Sequence, residues 1–420
     1  MRVLLLCNGI MEEVKEKLGL KHGKPESWIN GICWRMKKTS GLEVMYLFPQ
    51  NSELTFTDGN ITFRSYSQKR IDRVEQKQYD EFTGILRSFK PDVVHIFGTE
   101  HSHTLAMVRA CEELGCLGRV VIHIQGLVKF YSYHYSLNVP IRTLCTKTFR
   151  DVLRGGGIRR GQKDFQRRGI SEAEAIRRAG NITGRTDWDE ACVKSINPGV
   201  RYFHCNEMLR DTFYESPKWS AQSCERHSIF ISQSSYPIKG FHIFLQALPE
   251  IIRRYPDVHV YTTGTSPIPK TLIQHIKQTS YRKYLTDIIR KNNLENYITF
   301  TGYLDEERMC ERFRKSHVFI LPSTIENSPN SLGEAMILGV PCISSDVGGV
   351  KNMMTHGTEG FTYPADEPYM IPYYVDKIFS DDELAGTFSR NEISHASRTH
   401  DREEIFATLM GIYREISGTH

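Results

Sequence analysis

One stretch of the sequence decides the fold: residues 318–345, which read VFILPSTIENSPNSLGEAMILGVPCISS. Its first four residues form a continuous apolar run, typical of a strand in a parallel sheet that is covered on both faces. A polar loop follows, and Ser328 with Pro329 predicts a helix start, with Ser328 as N-cap and Pro329 in the first helical position. Gly339 and Pro341 end that helix and lead into another strand. The stretch therefore predicts strand, loop, helix and strand, the repeating unit of a Rossmann-like α/β sheet.

The same alternation of short β-rich runs and helix-compatible stretches covers most of the chain. The predicted strands are residues 2–8, 42–48, 92–98, 119–126, 200–206, 228–234, 258–264, 297–302, 317–323 and 341–345. Because the series starts twice, we expect an α/β protein of two doubly wound Rossmann-like domains that face each other across a cleft. The predicted N-terminal domain spans residues 1–215 and the C-terminal domain residues 225–395. A terminal helix over 396–420 is expected to pack back toward the N-terminal domain.

Composition favours a cytoplasmic globular protein. The 420 residues are 40% hydrophobic and 25% charged, and the net charge of +5 is too small to indicate a nucleic-acid partner. No apolar run reaches the ~18 residues that a membrane-spanning helix needs. The ten cysteines are scattered and form no Cys-x-x-Cys pair, which favours reduced thiols and no metal site.

Residues 141–180 interrupt the alternation as a basic insertion in the N-terminal domain. Between Lys147 and Arg168 the sequence has eight basic residues against two aspartates, and three consecutive glycines at 155–157 indicate a mobile loop. One interpretation is a solvated surface segment. The other is a patch that faces a phosphorylated acceptor or anionic lipid headgroups, which would give peripheral contact with the inner face of a membrane.

The loop and helix within residues 318–345 carry the chemistry. Glu326 would lie at the carboxyl end of the strand, where α/β sheets bind ligands. The amides of Asn330 and Ser331 would lie at the helix N-terminus and point at an anion, with Glu334 about one turn further along. Such amides can stabilise a diphosphate leaving group without a metal, and the carboxylates can hold sugar and ribose hydroxyls. The alternative is that Glu326 and Glu334 are ordinary capping and surface acids.

This region resembles the signature of the retaining glycosyltransferases of family 4, which have the GT-B fold and use nucleotide sugars. The matching elements are Pro322-Ser323-x-x-Glu326, Glu334-Ala335-Met336, Gly339-x-Pro341 and Asp346-Val347-Gly348-Gly349. The resemblance is strong over residues 225–395 and looser in the N-terminal half. It implies that Glu326 lies by the transferred sugar, that Glu334 binds the donor ribose, and that Asn330, Ser331 and Leu332 belong to the donor site.

A second family element is an Arg and a Lys, five residues apart, that neutralise the donor diphosphate. Lys239 matches the Lys, and Ser234 stands where the Arg is usual, so one positive charge is lost. Ser234 remains a candidate hydrogen-bond donor to the diphosphate. The alternative for Lys239 is a solvated lysine at a helix start.

The N-terminal half supplies further candidates at predicted strand ends. Gln125 holds the position where the family usually has a His near the sugar, and His123 lies two residues earlier, either packed in the core or lining the cleft. We assign Glu100 and His101 to the acceptor side. Gly31 matches a glycine-bearing loop near the diphosphate. Arg185 is either an acceptor-side residue or part of an internal salt bridge with a nearby Asp.

The resemblance implies retaining transfer of a sugar from a UDP- or GDP-sugar to a glycan or lipid-linked acceptor, in surface polysaccharide biosynthesis. We expect no cofactor, and metal independence, because no Asp-x-Asp motif stands at a strand end. Two alternatives remain open. One is another GT-B enzyme, such as a sugar-nucleotide epimerase or a phosphorylase. The other is a catalytically decayed nucleotide-sugar-binding protein, which Ser234 and Gln125 favour.

Overall fold

The computed structural model describes residues 1–19 and 29–418, and they form two compact units. The first unit contains residues Met1–Phe130, Asp164–Arg210 and the chain from His400 onward. The second contains Tyr131–Lys163 and Asp211–Thr399. These bounds differ from the predicted ones, because half of the basic insertion groups with the second unit.

The first unit is built on a mixed sheet of eight strands in the order β3-β4-β2-β1-β5-β6-β7-β8. The strands are β1 (Arg2–Leu6), β2 (Glu43–Pro49), β3 (Thr55–Asp58), β4 (Ile61–Tyr66), β5 (Val93–Phe97), β6 (Val120–His123), β7 (Asn181–Gly184) and β8 (Arg201–His204). Only β3, paired antiparallel with β4, departs from the parallel arrangement among these strands. The β3–β4 hairpin was not predicted.

Helices cover both faces of this sheet, so its central strand β1 is apolar and buried from Val3 to Leu6. Leu4 and Leu6 of β1 pack into one core cluster, whereas Val3 and Leu5 pack into the other. Full burial of each such side chain stabilises the fold by about 1.5–3 kcal/mol.

The second unit has a wholly parallel sheet of six strands in the order β11-β10-β9-β12-β13-β14. They are β9 (Glu225–Ile231), β10 (His259–Thr262), β11 (Ile298–Phe300), β12 (Ser316–Leu321), β13 (Cys342–Ser345) and β14 (Gly360–Tyr363). The strand order reverses between β9 and β12, so the loops after these two strands flank a topological switch point, where open α/β sheets bind ligands. Both units therefore have the doubly wound α/β fold that the sequence predicted.

Helices connect most of the strands. In the first unit they are α1 (Glu12–Lys17), α2 (Asn30–Lys38), α3 (Gln76–Phe89), α4 (His103–Glu113), α9 (Asp187–Ile196) and α19 (Arg402–Ser417), whereas α5 (Val128–His134) and α8 (Ile158–Arg178) have residues in both units. In the second they are α6 (Ile141–Cys145), α7 (Phe149–Arg154), α10 (Asp211–Glu215), α11 (Phe241–Arg254), α12 (Leu272–Ile276), α13 (Ser280–Lys291), α14 (Glu306–Lys315), α15 (Asn330–Leu338), α16 (Val350–Met353), α17 (Met370–Phe379) and α18 (Asp382–Thr399).

The basic insertion is largely helical, and the three glycines at 155–157 form the loop that connects α7 and α8. Thr148 and Asp151 form a capping box that starts α7, and Gly155 ends it with a left-handed conformation. α8 then runs for 21 residues. Among the described residues, no helix is long and apolar enough to cross a membrane.

The terminal helix α19 groups with the first unit. Ile405, Leu409 and Ile412 are buried in the same core cluster as Val3 and Leu5 of β1. Its Tyr413 hydroxyl lies 2.6 Å from Nδ1 of His95 on β5. The helical spacing of its apolar residues is explained by this packing.

Candidate functional site

An ion pair joins the loops after β9 and β12 in the second unit. Nζ of Lys239 lies 2.6 Å from Oε1 of Glu326, and the side chains are only 18% and 8% exposed. Ser323 also donates a hydrogen bond to Oε1 of Glu326, at 2.7 Å. Burial by itself lowers the pKa of Lys239, but the charge of Glu326 outweighs it and raises that pKa above its usual value. The ion pair therefore holds the ammonium group of Lys239 in place at the switch point.

Two glycines allow the backbone around this pair to pack closely. Gly240, with φ +65°, follows Lys239, and a Cβ atom there would collide with the carbonyl oxygen of Pro322. Gly348, with φ +52°, lies against the carbonyl oxygen of Glu326 in the same way. Gly349 donates its N–H to that carbonyl at 3.2 Å. The Gly348-Gly349 turn therefore holds the backbone of Glu326 in position.

Helix α15 begins beside this loop, one residue later than predicted. The carbonyl of Pro329 accepts the N–H groups of Leu332, at 2.9 Å, and Gly333, so Pro329 is the N-cap and Asn330 the first helical residue. Ser328 was predicted as the N-cap; its hydroxyl instead contacts the sulfur of Met353. Gly339 ends the helix, as predicted.

This start leaves the amides of Asn330 and Ser331 in the first turn of α15, where N–H groups have no acceptor within the helix. Glu334 lies one turn further along and is 5% exposed, and Leu332 is fully buried. The predicted donor-side residues of this stretch therefore share the first turns of one buried helix.

Ser234 is occupied by the scaffold. It is 6% exposed, and its hydroxyl donates to the carbonyl oxygen of Thr263 at 3.3 Å. This bond ties the loop after β9 to the loop after β10. A serine here cannot replace the charge of an arginine, so the positive charge beside Glu326 is that of Lys239, together with the dipole of α15.

In the first unit, three predicted residues meet at Glu207, which the sequence analysis missed. Arg185 makes an ion pair with Oε2 of Glu207 at 2.5 Å, Nε2 of His123 lies 3.1 Å from Oε1, and the amide of Gln125 donates to Oε1. These residues follow or end the parallel strands β6, β7 and β8. Glu207 comes three residues after the end of β8, so the strand-end reasoning applied to Glu326 would have found it.

The side chains of this cluster are buried, and their charges pair with one another. His123, Arg185 and Glu207 are 2%, 5% and 1% exposed. Burial alone would raise the pKa of Glu207, but the charge of Arg185 and the neighbouring His123 imidazole hold it at about 2. An internal salt bridge was the predicted alternative for Arg185, but its side-chain partner is Glu207; Asp189 instead accepts the backbone N–H of Arg185 at 2.9 Å.

Glu100 and His101 lie in the turn after β5 of the same sheet. Within residues 1–19 and 29–418, Oε2 of Glu100 is buried without a hydrogen-bond partner, and burial raises the pKa of this carboxyl. Burial lowers the pKa of His101 to about 4. A second buried acid, Glu172, was not predicted: it accepts hydrogen bonds from Thr99 at 2.7 Å and from the backbone of Lys129 at 2.7 Å, and burial raises its pKa to about 8.

Gly31 is the second residue of α2. A Cβ atom at Gly31 would lie 3.0 Å from the sulfur of Met208. The carbonyl oxygen of Gly31 accepts a hydrogen bond from Arg35 at 3.3 Å. Part of the predicted glycine-bearing loop, including Trp28, lies outside the described residues. In the part of the chain that the structure describes, no group of three or more His, Cys, Asp or Glu side chains is placed to hold a metal ion.

Sequence comparison finds relatives among the glycosyltransferases. Residues 225–381 match the family model "Glycosyl transferases group 1". The alpha-D-kanosaminyltransferase of Streptomyces kanamyceticus is 23% identical over 257 residues, which cover 59% of this chain and 63% of that protein. The phosphatidyl-myo-inositol mannosyltransferase of Mycolicibacterium smegmatis is 25% identical over 46% of each chain. This chain thus aligns with less than two thirds of either relative.

Solved structures show the fold over the whole chain. A sucrose-phosphate synthase from Thermosynechococcus elongatus superposes with a TM-score of 0.70 at 13% identity, and covers 100% of both chains. HepE from Anabaena, in complex with UDP-glucose, gives a TM-score of 0.67 at 15% identity and covers 99% of this chain and 100% of its own. The resemblance to the group 1 glycosyltransferases and the GT-B class of fold are therefore confirmed.

Proposed function

We propose that this chain, whose residues 225–381 carry the group 1 glycosyl transferase domain, moves a sugar from a nucleotide-diphosphate sugar to an acceptor with retention of anomeric configuration. The single observation that supports this best is the Lys239–Glu326 pair beside the start of α15. It places one buried ammonium, one carboxylate and the open amides of a helix at the switch point of a parallel sheet. The ammonium and the amides suit a diphosphate, and the carboxylate suits the hydroxyls of the transferred sugar.

In the proposed complex, Lys239 shares its ammonium between Glu326 and the diphosphate. An ammonium has three N–H donors, and the hydrogen bond to Glu326 takes one of them. The amides of Asn330 and Ser331 and the dipole of α15 would stabilise the remaining charge as the diphosphate leaves. Glu334 would hold the ribose and Glu326 the transferred sugar. This leaving-group stabilisation needs no divalent cation, so we propose a metal-independent reaction without a cofactor.

For retention, we propose that the acceptor hydroxyl attacks on the face from which the diphosphate departs. The bond from the anomeric carbon to the diphosphate oxygen breaks, the bond to the acceptor oxygen forms, and the acceptor proton passes to the diphosphate. Glu326 is held by Lys239 and Ser323, at 2.6 and 2.7 Å, so it is suited to binding hydroxyls. A nucleophilic carboxylate would instead require a covalent glycosyl-enzyme intermediate.

The relatives support a UDP-sugar as donor and a glycan or lipid-linked acceptor. HepE was solved with UDP and with UDP-glucose, and a mannosyltransferase whose name specifies phosphatidyl-myo-inositol is among the relatives. We place Glu100 and His101 on the acceptor side and the reaction in surface polysaccharide biosynthesis, on the cytoplasmic side of the membrane. GDP-sugars are the second donor class to test.

The test is release of nucleotide diphosphate from a panel of UDP-, GDP- and ADP-sugars, with and without glycan and lipid-linked acceptors. We expect one donor to be consumed faster when an acceptor is added, and consumption to be lost in Glu326→Gln. Conversion of a donor to its epimer without acceptor would instead identify an epimerase. Donor binding without turnover of any donor would identify a decayed binding protein.

A further inference from the structure

Two short helices of the second unit turn their apolar sides outward. Phe149, Val152 and Leu153 of α7 are 62%, 67% and 69% exposed, at the i, i+3, i+4 spacing of one helix face. Leu272, Ile273 and Ile276 of α12 are 75%, 64% and 43% exposed, at i, i+1, i+4. A surface helix normally turns such a stripe toward the core. These helices therefore present a stripe that the described residues of the second unit do not cover.

The two helices border the same depression. A groove of about 810 Å³ lies between α7 and residues 265–282, and its wall includes both Phe149 and Ile276. α7 is fixed to this domain by Asp151, whose carboxylate accepts the N–H of Ser280 at 2.8 Å, at the start of α13. We call the exposed sides of α7 and α12, with the groove between them, the apolar-basic face.

The charge on this face is of one sign. Among the described residues that line it, the groove has five cationic side chains and no carboxylate, the cations being Arg150, Arg154, Lys270, Lys277 and Arg282. The acid of α7, Asp151, is 2% exposed and directed at Ser280. Further along the insertion, Arg167 pairs with Asp164 at 2.5 Å and with Asp72 at 3.2 Å. The groove therefore places positive charge directly beside the exposed apolar side chains.

We propose that the apolar-basic face binds the surface of an anionic lipid bilayer, with the apolar side chains of α7 and α12 between the headgroups and the cations on the headgroup phosphates. Apolar residues flanked by Lys and Arg are the composition of interfacial membrane-binding helices. A second copy of this chain is a poorer occupant, because pairing two such faces would bring their cations together. Nucleic acid is also poorer, because five of the six exposed apolar side chains are aliphatic and cannot stack on bases.

Binding of the apolar-basic face to a membrane goes beyond the proposed sugar transfer and does not depend on it. If sugar transfer is refuted, the membrane proposal still stands on the exposed apolar and cationic side chains of the face. If the face does not bind membranes, the proposed donor site is unaffected. When both hold, the domain that carries Lys239 and Glu326 is attached to the bilayer on which a lipid-linked acceptor would lie.

The experiment is flotation of the full chain with vesicles of phosphatidylcholine alone and of phosphatidylcholine mixed with phosphatidylglycerol. Binding is expected only with the anionic mixture. It should weaken as salt is raised from 0.1 to 1 M, because the Debye length falls from ~10 to ~3 Å. Arg150→Gln with Arg154→Gln should lower the partition coefficient roughly 20- to 30-fold, and Leu272→Gln with Ile273→Gln should also lower it at low salt.

The matched controls lie elsewhere on the surface. Ile170, at 70% exposure, and Arg308, with a side chain 70% exposed, are replaced by Gln as the apolar and charge controls and should leave binding unchanged. Circular dichroism and the melting temperature of each variant establish that it is folded. The proposal is overturned if folded wild-type protein does not float with anionic vesicles, or if the controls lose binding as much as the face variants. It is also overturned if Leu272→Gln with Ile273→Gln dissociates a homodimer and leaves flotation unchanged.

Discussion

Nζ of Lys239 lies 2.6 Å from Oε1 of Glu326, although 87 residues separate them in the chain. The bond connects the loops after β9 and β12, the strands between which the sheet order reverses. The catalytic carboxylate and the diphosphate-binding cation of the proposed donor site are therefore positioned by each other. Loss of either one should disturb the other.

Replacing Lys239 with Met should weaken donor binding about 10- to 100-fold, because a hydrogen bond to a charged group contributes about 1.5–3 kcal/mol. It should also destabilise the domain, because the buried Glu326 loses its counter-charge. Nucleotide-diphosphate titration by calorimetry and urea unfolding measure the two effects.

Two variants isolate this ion pair. Lys315→Met removes an exposed ion pair with Glu311, in which the lysine side chain is 49% exposed. It should change neither donor binding nor the stability of the domain. Lys239→Met combined with Glu326→Gln should be less destabilised than Lys239→Met alone. If the double variant loses stability additively, the two residues are not coupled.

Gly348→Ala should both destabilise the second unit and lower turnover. The new methyl group would meet the carbonyl oxygen of Glu326 and shift that loop. Gly357→Ala is the control: its φ is +77° but nothing lies within 4 Å of the added Cβ, so it costs only the ~1 kcal/mol of a left-handed non-glycine residue. Equal turnover in the two variants would show that Gly348 does not position Glu326.

Glu207→Gln should destabilise the first unit most at neutral pH. The folded pKa of Glu207 is about 2, below its ordinary value of 4.5, so its ion pair with Arg185 stabilises the fold above pH 4.5 and is lost as pH falls toward 2. A shift of this size corresponds to about 3 kcal/mol. The difference in melting temperature between wild type and variant should therefore be largest above pH 4.5 and narrow as pH falls from 4.5 toward 2, the window set by those two pKa values.

The control for this pH dependence is Glu190→Gln, because Glu190 makes an exposed i,i+4 pair with Lys194, in which the carboxylate side chain is 36% exposed. Its melting temperature should follow wild type throughout. A constant difference between wild type and Glu207→Gln across the same window would mean that Glu207 does not titrate with the depressed pKa.

Transfer activity should persist in EDTA, because Lys239 and the α15 amides supply the positive charge that a divalent cation would otherwise supply. The measurement is nucleotide-diphosphate release before and after chelation, with Mg²⁺ or Mn²⁺ added back. Activity that EDTA abolishes and either cation restores would refute the proposed metal independence.

The sequence predicted the local structure of residues 318–345 well because its determinants are local. The order of apolar run, polar loop, helix and Gly-x-Pro within residues 318–345 specifies which end of the strand carries Glu326 and where α15 stops. The error of one residue at the helix start has a local cause too, since Pro329 serves as N-cap through its carbonyl and Ser328 contacts Met353.

The N-terminal cluster was harder to predict because it depends on burial and long-range pairing. His123, Arg185 and Glu207 come from three strand ends more than 20 residues apart, and no spacing rule pairs them. The hairpin β3–β4 was missed although its sequence signals it, because Asp58-Gly59 stands between runs in which Phe56, Ile61 and Phe63 alternate with polar residues. The helices of the insertion were missed because three glycines and many cations resemble a loop, whereas a capping box at Thr148 starts a helix there.

The proposed nucleotide-sugar site lies at the start of α15, and its most direct test is calorimetric titration of UDP and GDP into wild type, Glu334→Ala and Glu326→Gln, with turnover measured alongside. We expect wild type to bind at least one of the two nucleotides. Glu334→Ala should bind it about tenfold or more weakly, because the ribose loses its carboxylate partner. Glu326→Gln should retain most of the affinity and lose turnover. Folded wild-type protein that binds neither nucleotide, or a Glu334→Ala variant that binds as tightly as wild type, would contradict a nucleotide-sugar site at the start of α15.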